Sequence, residues 1–175
     1  GRHAHQGLFS QWSKDDERAV KQAMHATRVE EFAEHSVDAL SGGQRQRVWI
    51  AMLLSQQTPI LMLDEPTTYL DISHQLELLE LFKKLKQQQG STIVAVLHDL
   101  NQACRYADNL IVLSGGKIVA QGSPDELMTE SLVKQVFGLN SLIIPDPVTS
   151  TPMVVPKAPL IPDVEIGRAS CRERV

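Results

Sequence analysis

Apolar and polar positions alternate with two different periods along this chain, and the changes of period mark its elements. Ala19, Val20, Ala23 and Met24 recur at helical spacing. Ser13-Lys14-Asp15-Asp16 ahead of them has the form of a helix start, with Ser13 as cap and acids in the first turn. A second, shorter helix is expected over Val29–Glu34, so the region up to about Asp38 reads as a small helical piece. Ser41 precedes a third helix over about Gly43–Ser55, almost continuously apolar from Val48 to Leu54 and broken by Thr58-Pro59. Ile60–Leu63 is wholly apolar, as in a buried parallel strand, and runs straight into Asp64, Glu65 and Pro66.

The clearest helix spans Gln75–Gln89. Leu76, Leu79, Phe82 and Leu85 form its stripe, Lys83, Lys84 and Lys86 suit its negative end, and Gly90 closes it. Thr92–Leu97 predicts a second buried strand ending at His98-Asp99, followed by a helix over Asn101–Tyr106 and a strand over Leu110–Leu113. Ser114-Gly115-Gly116 is a hairpin turn into Lys117–Ala120. Two short helices follow, near Pro124–Met128 and Ser131–Val136. Strands alternating with helices in this way predict an α/β fold with a largely parallel sheet.

Composition narrows the class. At 175 residues, with 42% hydrophobic and 22% charged, the chain is sized for one domain with a real core. No apolar run approaches a membrane span. A net charge of −4 argues against a nucleic-acid surface. Cys104 and Cys171 lie far apart and outside any metal-ligand spacing, which fits a reducing compartment. Six of the nine prolines fall between Pro145 and Pro162, excluding regular helix or a central strand there. Residues 167–175 carry three arginines without apolar periodicity and read as a non-native tail. Gly1 stands where a start methionine would, with no leader after it, and reads as a cut end.

The residues that carry chemistry cluster in three places. Leu40-Ser41-Gly42-Gly43-Gln44 offers a hydroxyl, close-approaching backbone N–H groups and the positive end of a helix dipole, all of which suit a phosphate. Ser-Gly-Gly alone fits a plain helix cap; the five residues in order, followed by Arg45-Gln46-Arg47, favour a ligand. Asp64 and Glu65 stand at the carboxyl end of an apolar strand, where α/β folds place ligand chemistry. A carboxylate there can hold Mg²⁺ through water, and its neighbour can polarise a water attacking a phosphate. His98 ends the second strand. If the two strands are parallel neighbours, Glu65 and His98 share one sheet edge.

In order and spacing these residues resemble the ABC-type ATPases over roughly residues 1–156. Leu40–Gln44 matches the family's signature motif, Ile60–Asp64 its Walker B strand, Glu65 its catalytic glutamate, Leu70-Asp71 its D-loop and His98 its switch histidine. Leu63–Gln75, His98–Tyr106 and the late Asp146-Pro147 and Thr151–Pro156 segments look like the importers of ferric siderophores, with haem and cobalamin importers as close relatives. The bulky Tyr69 in the D-loop points to the same subgroup.

The resemblance implies a partial P-loop NTPase fold of ABC type: a helical subdomain at about 8–55, the second half of the catalytic core at 56–113, and a hairpin, short helices and a Pro-rich end at 114–156, with 157–175 a tail. It implies ATP and Mg²⁺ as cofactors, with Asp64 on the metal, Glu65 and His98 catalytic, and Ser41, Gly42, Gly43 and Gln44 reaching nucleotide held by a second ATPase subunit. The further implied partners are transmembrane permease subunits and, indirectly, a substrate-binding protein, at the cytoplasmic face of a bacterial inner membrane. Nucleic acid is not among them. The family's P-loop pattern, Gly-x-x-x-x-Gly-Lys-Ser/Thr, is absent: Gly116-Lys117 is followed by Ile118, and Ile111 stands in the first glycine's place. The Walker A half is therefore expected upstream of Gly1. Without it, the chain is expected to hydrolyse no ATP and to leave apolar surface around Ile60–Leu63 uncovered.

Three alternatives remain at this level. The acidic, amphipathic stretch between Ser10 and Asp38 serves either a permease or solvent. A soluble ABC ATPase of chromosomes or ribosomes would need a long coiled coil or a charged tandem linker, and neither is present in the chain. An inert short product sits poorly with intact Asp64, Glu65 and His98.

Overall fold

The computed structural model describes residues 1–2 and 12–158. The chain separates into two compact units, Gly1–Tyr106 and Ala107–Val175. The arginine-rich stretch at 167–175, Pro159 and Pro162 lie outside the described residues, as do residues 3–11.

The first unit begins with α1 (Lys14–Ala26), whose Ser13 cap and Asp16 form a reciprocal capping box. The expected second helix is only a 3₁₀ turn over Glu30–Phe32, and a further one covers Val37–Ala39. A segment this short gains few bonds for the dihedrals it fixes, and Val29 is buried as the turn begins. Helix α2 (Gly42–Leu54) is capped by Ser41, β1 spans Ile60–Leu63, α3 Ile72–Gln89, β2 Thr92–Ala95 and α4 Leu100–Tyr106. Helix α3 starts three residues earlier than its apolar stripe indicates. The reason is Asp71, whose carboxylate caps it by accepting from the His74 N–H at 3.0 Å. Gly90, at φ +66°, supplies the left-handed stop.

β1 and β2 are parallel neighbours in register from Ile60 opposite Thr92 to Leu63 opposite Ala95. One face of this pair, through Leu63, Ile93 and Leu97, packs on a core of Ile50, Leu70, Leu78, Leu79 and Phe82. Each fully buried Leu or Phe of such a core stabilises by about 1.5–3 kcal/mol. A second cluster, Ala23, Val29 and Ala51, joins α1 to α2, and Leu54 touches both. The opposite face of the pair carries Ile60, Met62, Val94 and Val96, all exposed, Met62 to 74%.

The second unit is built from β3 (Leu110–Ser114), β4 (Lys117–Gly122), α5 (Pro124–Leu127), α6 (Glu130–Phe137), β5 (Ser141–Pro145) and β6 (Pro152–Pro156). β3 and β4 form the expected hairpin, with Gly115 and Gly116 both at positive φ, as a two-residue turn between right-twisted strands requires. The sheet is not largely parallel: among the described residues β1–β2 is parallel and β3–β4 and β5–β6 are antiparallel ribbons.

The proline-rich segment also contains more structure than its composition indicates, since β5 and β6 pair from Ser141–Pro156 to Pro145–Pro152. Backbone bonds from Asp146 N to Thr151 O and Lys157 N to Asn140 O, each 2.8 Å, set the alternation of the ladder. That alternation leaves Pro145, Pro152 and Pro156 at positions where no ladder N–H is needed. A two-stranded ribbon accepts prolines that a central strand would reject. Asp146 closes its loop by accepting from Val148 N at 2.8 Å and Thr149 N at 3.1 Å.

Candidate functional site

The first unit brings two of the sequence-derived clusters into local order. At the start of α2 the Ser41 hydroxyl accepts from Gln44 N at 3.3 Å, while Gln44 Oε1 accepts from Ser41 N at 2.9 Å. Helix geometry leaves the first amides, those of Gly42 and Gly43, without intrahelical acceptors. Ser41 and Gly42 are exposed, so this positive helix end is open. Arg45 holds the approach from behind, its Nη2 donating to Asp38 O at 3.3 Å and Leu40 O at 3.2 Å.

Glycine at 43 also has a packing reason. A Cβ there would lie 3.3 Å from Tyr69 O and 3.4 Å from Leu70 Cδ2, and one at Gly42 would meet Tyr69 Cβ at 3.6 Å. The signature helix thus rests on the loop that follows Glu65.

That loop carries the second cluster. Because β1 and β2 run in parallel side by side, Glu65 and His98 emerge at the same end, and Glu65 Oε1 meets His98 Nε2 at 2.8 Å. Thr68 Oγ1 donates to Glu65 Oε2 at 3.1 Å. The bond to His98, then that to Thr68, then the imidazole's charge hold the Glu65 carboxyl below the usual glutamate range. Glu65 sits at φ +47° and Tyr69 at φ +69°, so the loop opens and closes in the left-handed region. Such residues cost roughly 1–3 kcal/mol each and persist where surrounding structure over-determines them. Between them Pro66 is fully buried.

Asp64 is exposed beside this pair. Among the described residues no group of three or more His, Cys, Asp or Glu is placed to hold a metal ion. A lone exposed carboxylate fits Mg²⁺, which keeps several waters and takes its remaining ligands from phosphate. Asp71 is engaged at the head of its own helix, accepting from His74 N, Ser73 Oγ at 3.0 Å and His74 Nδ1 at 2.7 Å. The His74 amide and then the Ser73 hydroxyl lower its carboxyl from the ordinary aspartate value. Ser41 bonds Gln44 within its own helix cap, while Glu65 bonds His98 across the strand pair.

Several residues that hold the loop escaped the sequence reading. Gln46 Nε2 donates to Pro66 O at 3.2 Å, and Gln75 Nε2 donates to Thr67 O at 3.2 Å and Leu70 O at 2.9 Å. Gln102 Nε2 in turn donates to Gln75 Oε1 at 2.8 Å. Amide clamps of this kind have no period and no motif. Only the three Gln residues lying near recognisable chemistry could have drawn attention to them.

A parallel strand pair delivering an acid and a histidine to one edge, beside a glycine-opened helix, defines a nucleotide-binding class. The chain carries a match to a model described as ABC transporter over residues 3–68. It is 60% identical over 156 residues to the ferric enterobactin transport ATP-binding protein of Escherichia coli (strain K12), covering 89% of this chain and 58% of the relative. It is 48% identical over 153 residues to the iron(3+)-hydroxamate import ATP-binding protein of Bacillus subtilis (strain 168), covering 87% and 57%. Among solved structures, a metal-chelate type ABC transporter in an inward-facing conformation superposes with TM-score 0.78 at 26% identity, over 90% of this chain and 64% of that one. An ATP-binding cassette dimer bound to ADP and Pi matches with TM-score 0.60 at 34% identity, over 66% and 50%. The chain therefore spans a little over half the length of the curated relatives it matches. No helix among the described residues is long and apolar enough to cross a membrane.

Proposed function

We propose that this chain is part of the ATP-hydrolysing subunit of an ABC importer that energises uptake of iron–siderophore complexes. The observation that carries the reading is the 2.8 Å contact of Glu65 with His98 at the shared end of two parallel strands, next to Asp64. The printed names of the enterobactin and hydroxamate relatives support the substrate class.

In this reading the amides of Gly42 and Gly43, the Ser41 hydroxyl and Gln44 meet the terminal phosphate of ATP held by a second, identical subunit, as a helix N-terminus attracts an anion. Glu65 accepts the proton of the attacking water. His98 fixes the Glu65 carboxylate from the neighbouring strand end. Asp64 holds Mg²⁺ through water; when bound, the ion neutralises charge on the phosphate oxygens. Asp71, engaged with α3, fixes the exit of the loop. The organisation follows the family, with a helical part at about 8–55, catalytic core at 56–113 and accessory elements at 114–156. The partners are the second ATPase subunit, membrane-embedded permease subunits and, through them, a substrate-binding protein. The protein then sits on the cytoplasmic face of the inner membrane.

The test is a chimera in which the matched 156 residues of the Escherichia coli relative are exchanged for those of this chain. Mg²⁺-dependent phosphate release is expected, falling by roughly 10²–10⁴ in Glu65→Gln, the usual contribution of a general base. The 175-residue chain alone, whose sequence has no Gly-x-x-x-x-Gly-Lys-Ser/Thr, should release none. Equal rates for the chimera and its Glu65→Gln variant would sink the assignment.

A further inference from the structure

The Glu65–His98 contact is too exposed to hold itself. The two side chains are 43% and 70% solvent-accessible, and an ion pair at that exposure contributes little and is screened by salt. Yet the site requires the carboxylate in one place, since misplacement by about 1 Å can cost a hundredfold in rate. The geometry must come from the backbone on either side of the pair.

On the Glu65 side, the backbone is the strained loop ending at Tyr69. Its turn bonds, Thr68 N to Glu65 O at 3.2 Å and Leu70 N to Thr67 O at 3.3 Å, are long. On the His98 side, Asp99 Oδ1 caps α4 by accepting from Asn101 N at 2.8 Å and Gln102 N at 3.0 Å, so His98 is tied to the head of that helix. One chain of bonds joins the two sides. Gln102, in the first turn of α4, donates to Gln75 Oε1, and the Gln75 amide nitrogen donates to the carbonyls of Thr67 and Leu70. Both glutamines are partly buried, where amide bonds count for more than on the surface and their loss leaves a donor unpaired.

From this geometry we propose that Gln75 and Gln102 are positioning residues: an amide relay that locks the His98 helix to the loop carrying Glu65 and so sets the acid–histidine contact for hydrolysis. This rests on the ATPase reading above and deepens it. The relay does not touch substrate. It acts through the loop, and because Gly43 packs against Tyr69 and Leu70 of the same loop, it also fixes the surface on which the signature helix rests.

Two measurements test it. In the 175-residue chain, Gln102→Leu and Gln75→Leu should each speed hydrogen exchange of the Leu70 amide about three- to tenfold, the equivalent of one lost bond, while amides in the middle of α3 are unchanged. Unchanged exchange at Leu70 overturns the relay, independently of any nucleotide chemistry. In the chimera, each variant should lower kcat about three- to tenfold with KM for ATP unchanged, and the double variant should be no slower than the slower single one, because both break one chain. Altered KM at constant kcat, or additive losses, overturns the positioning role while leaving the ATPase reading intact. A chimera without Glu65-dependent hydrolysis removes that reading and the positioning role with it.

Discussion

Helices α1 and α2 are each 13 residues long and open with the same device, a serine cap returned by a side chain three residues later. They use it to opposite ends. At α1 the returning residue is Asp16, whose charge complements the helix dipole and is sealed by Arg2 at 2.7 Å, with side-chain exposures of 7% and 9%. Arg2 also donates to Ser55 O and Gln57 Oε1, tying that start to the far end of α2. At α2 the returning residue is the neutral Gln44, Ser41 and Gly42 are exposed, and the first turn carries no acid to complement the positive end of the dipole. One start is an anchor; the other, on the function proposed above, is an open seat for an anion. The cap only forms the helix; the charge and cover above it decide what the helix end is for.

The difference can be broken from either side. Arg2→Ala leaves Asp16 without its charged partner and should lower unfolding stability by more than any change at the open start, read from denaturant midpoints. A loss no greater than for an exposed cap would make the two starts equivalent after all. Ser41→Ala, at the open start, should lower stability by only about 1 kcal/mol, measured the same way. Gln44→Glu keeps the capping box while adding the charge that α1 carries. Melting temperature should hold or rise slightly, while nucleotide-driven association of the chimera weakens by about fivefold, the scale of a charge at a helix end. Unaltered association would show that the open dipole is not used for phosphate.

The anchor also carries a pH dependence. Bonds from Arg2 and Ser13 bring the Asp16 carboxyl from 3.8 down to about 2. A depressed native pKa contributes stability that is complete above the unfolded value and lost as pH falls through the native one. The stability gap between the chain and its Asp16→Asn variant should therefore be flat at neutral pH and close between 3.8 and about 2. A gap that persists below that window would mean the pair is not what Asp16 contributes.

Much of the site was legible because its residues lie at element ends, where local rules are strongest. Ser13 and Ser41 are caps, Ile60–Leu63 runs into its acids, and Gly90 and Gly115-Gly116 are stops and turns set by φ. The misreadings have the same origin in reverse. Periodicity placed the start of α3 at Gln75, but Asp71 moved it forward by capping. Proline content excluded helix or a central strand in 145–162, which holds, but gave no sign of the two-stranded ribbon whose three prolines sit where no donor is wanted. Alternating strands and helices implied a parallel sheet, but two of the three described pairs are ribbons.

The sequence by itself determined the inventory: a glycine-opened helix, an acid pair at the tip of an apolar strand, a histidine at the tip of the next, and the family these resemble. Such features depend on neighbours in the chain, through caps, periods and turn dihedrals. Tertiary structure alone decided which groups meet. The parallel pairing of β1 with β2 sets Glu65 on His98, the approach of Tyr69 requires Gly43, and Gln46 and Gln75 close on one loop while Gln102 braces Gln75. Those contacts join residues up to 33 positions apart, as Glu65 and His98 are. Their partners are chosen by packing in space, which leaves no local pattern along the chain.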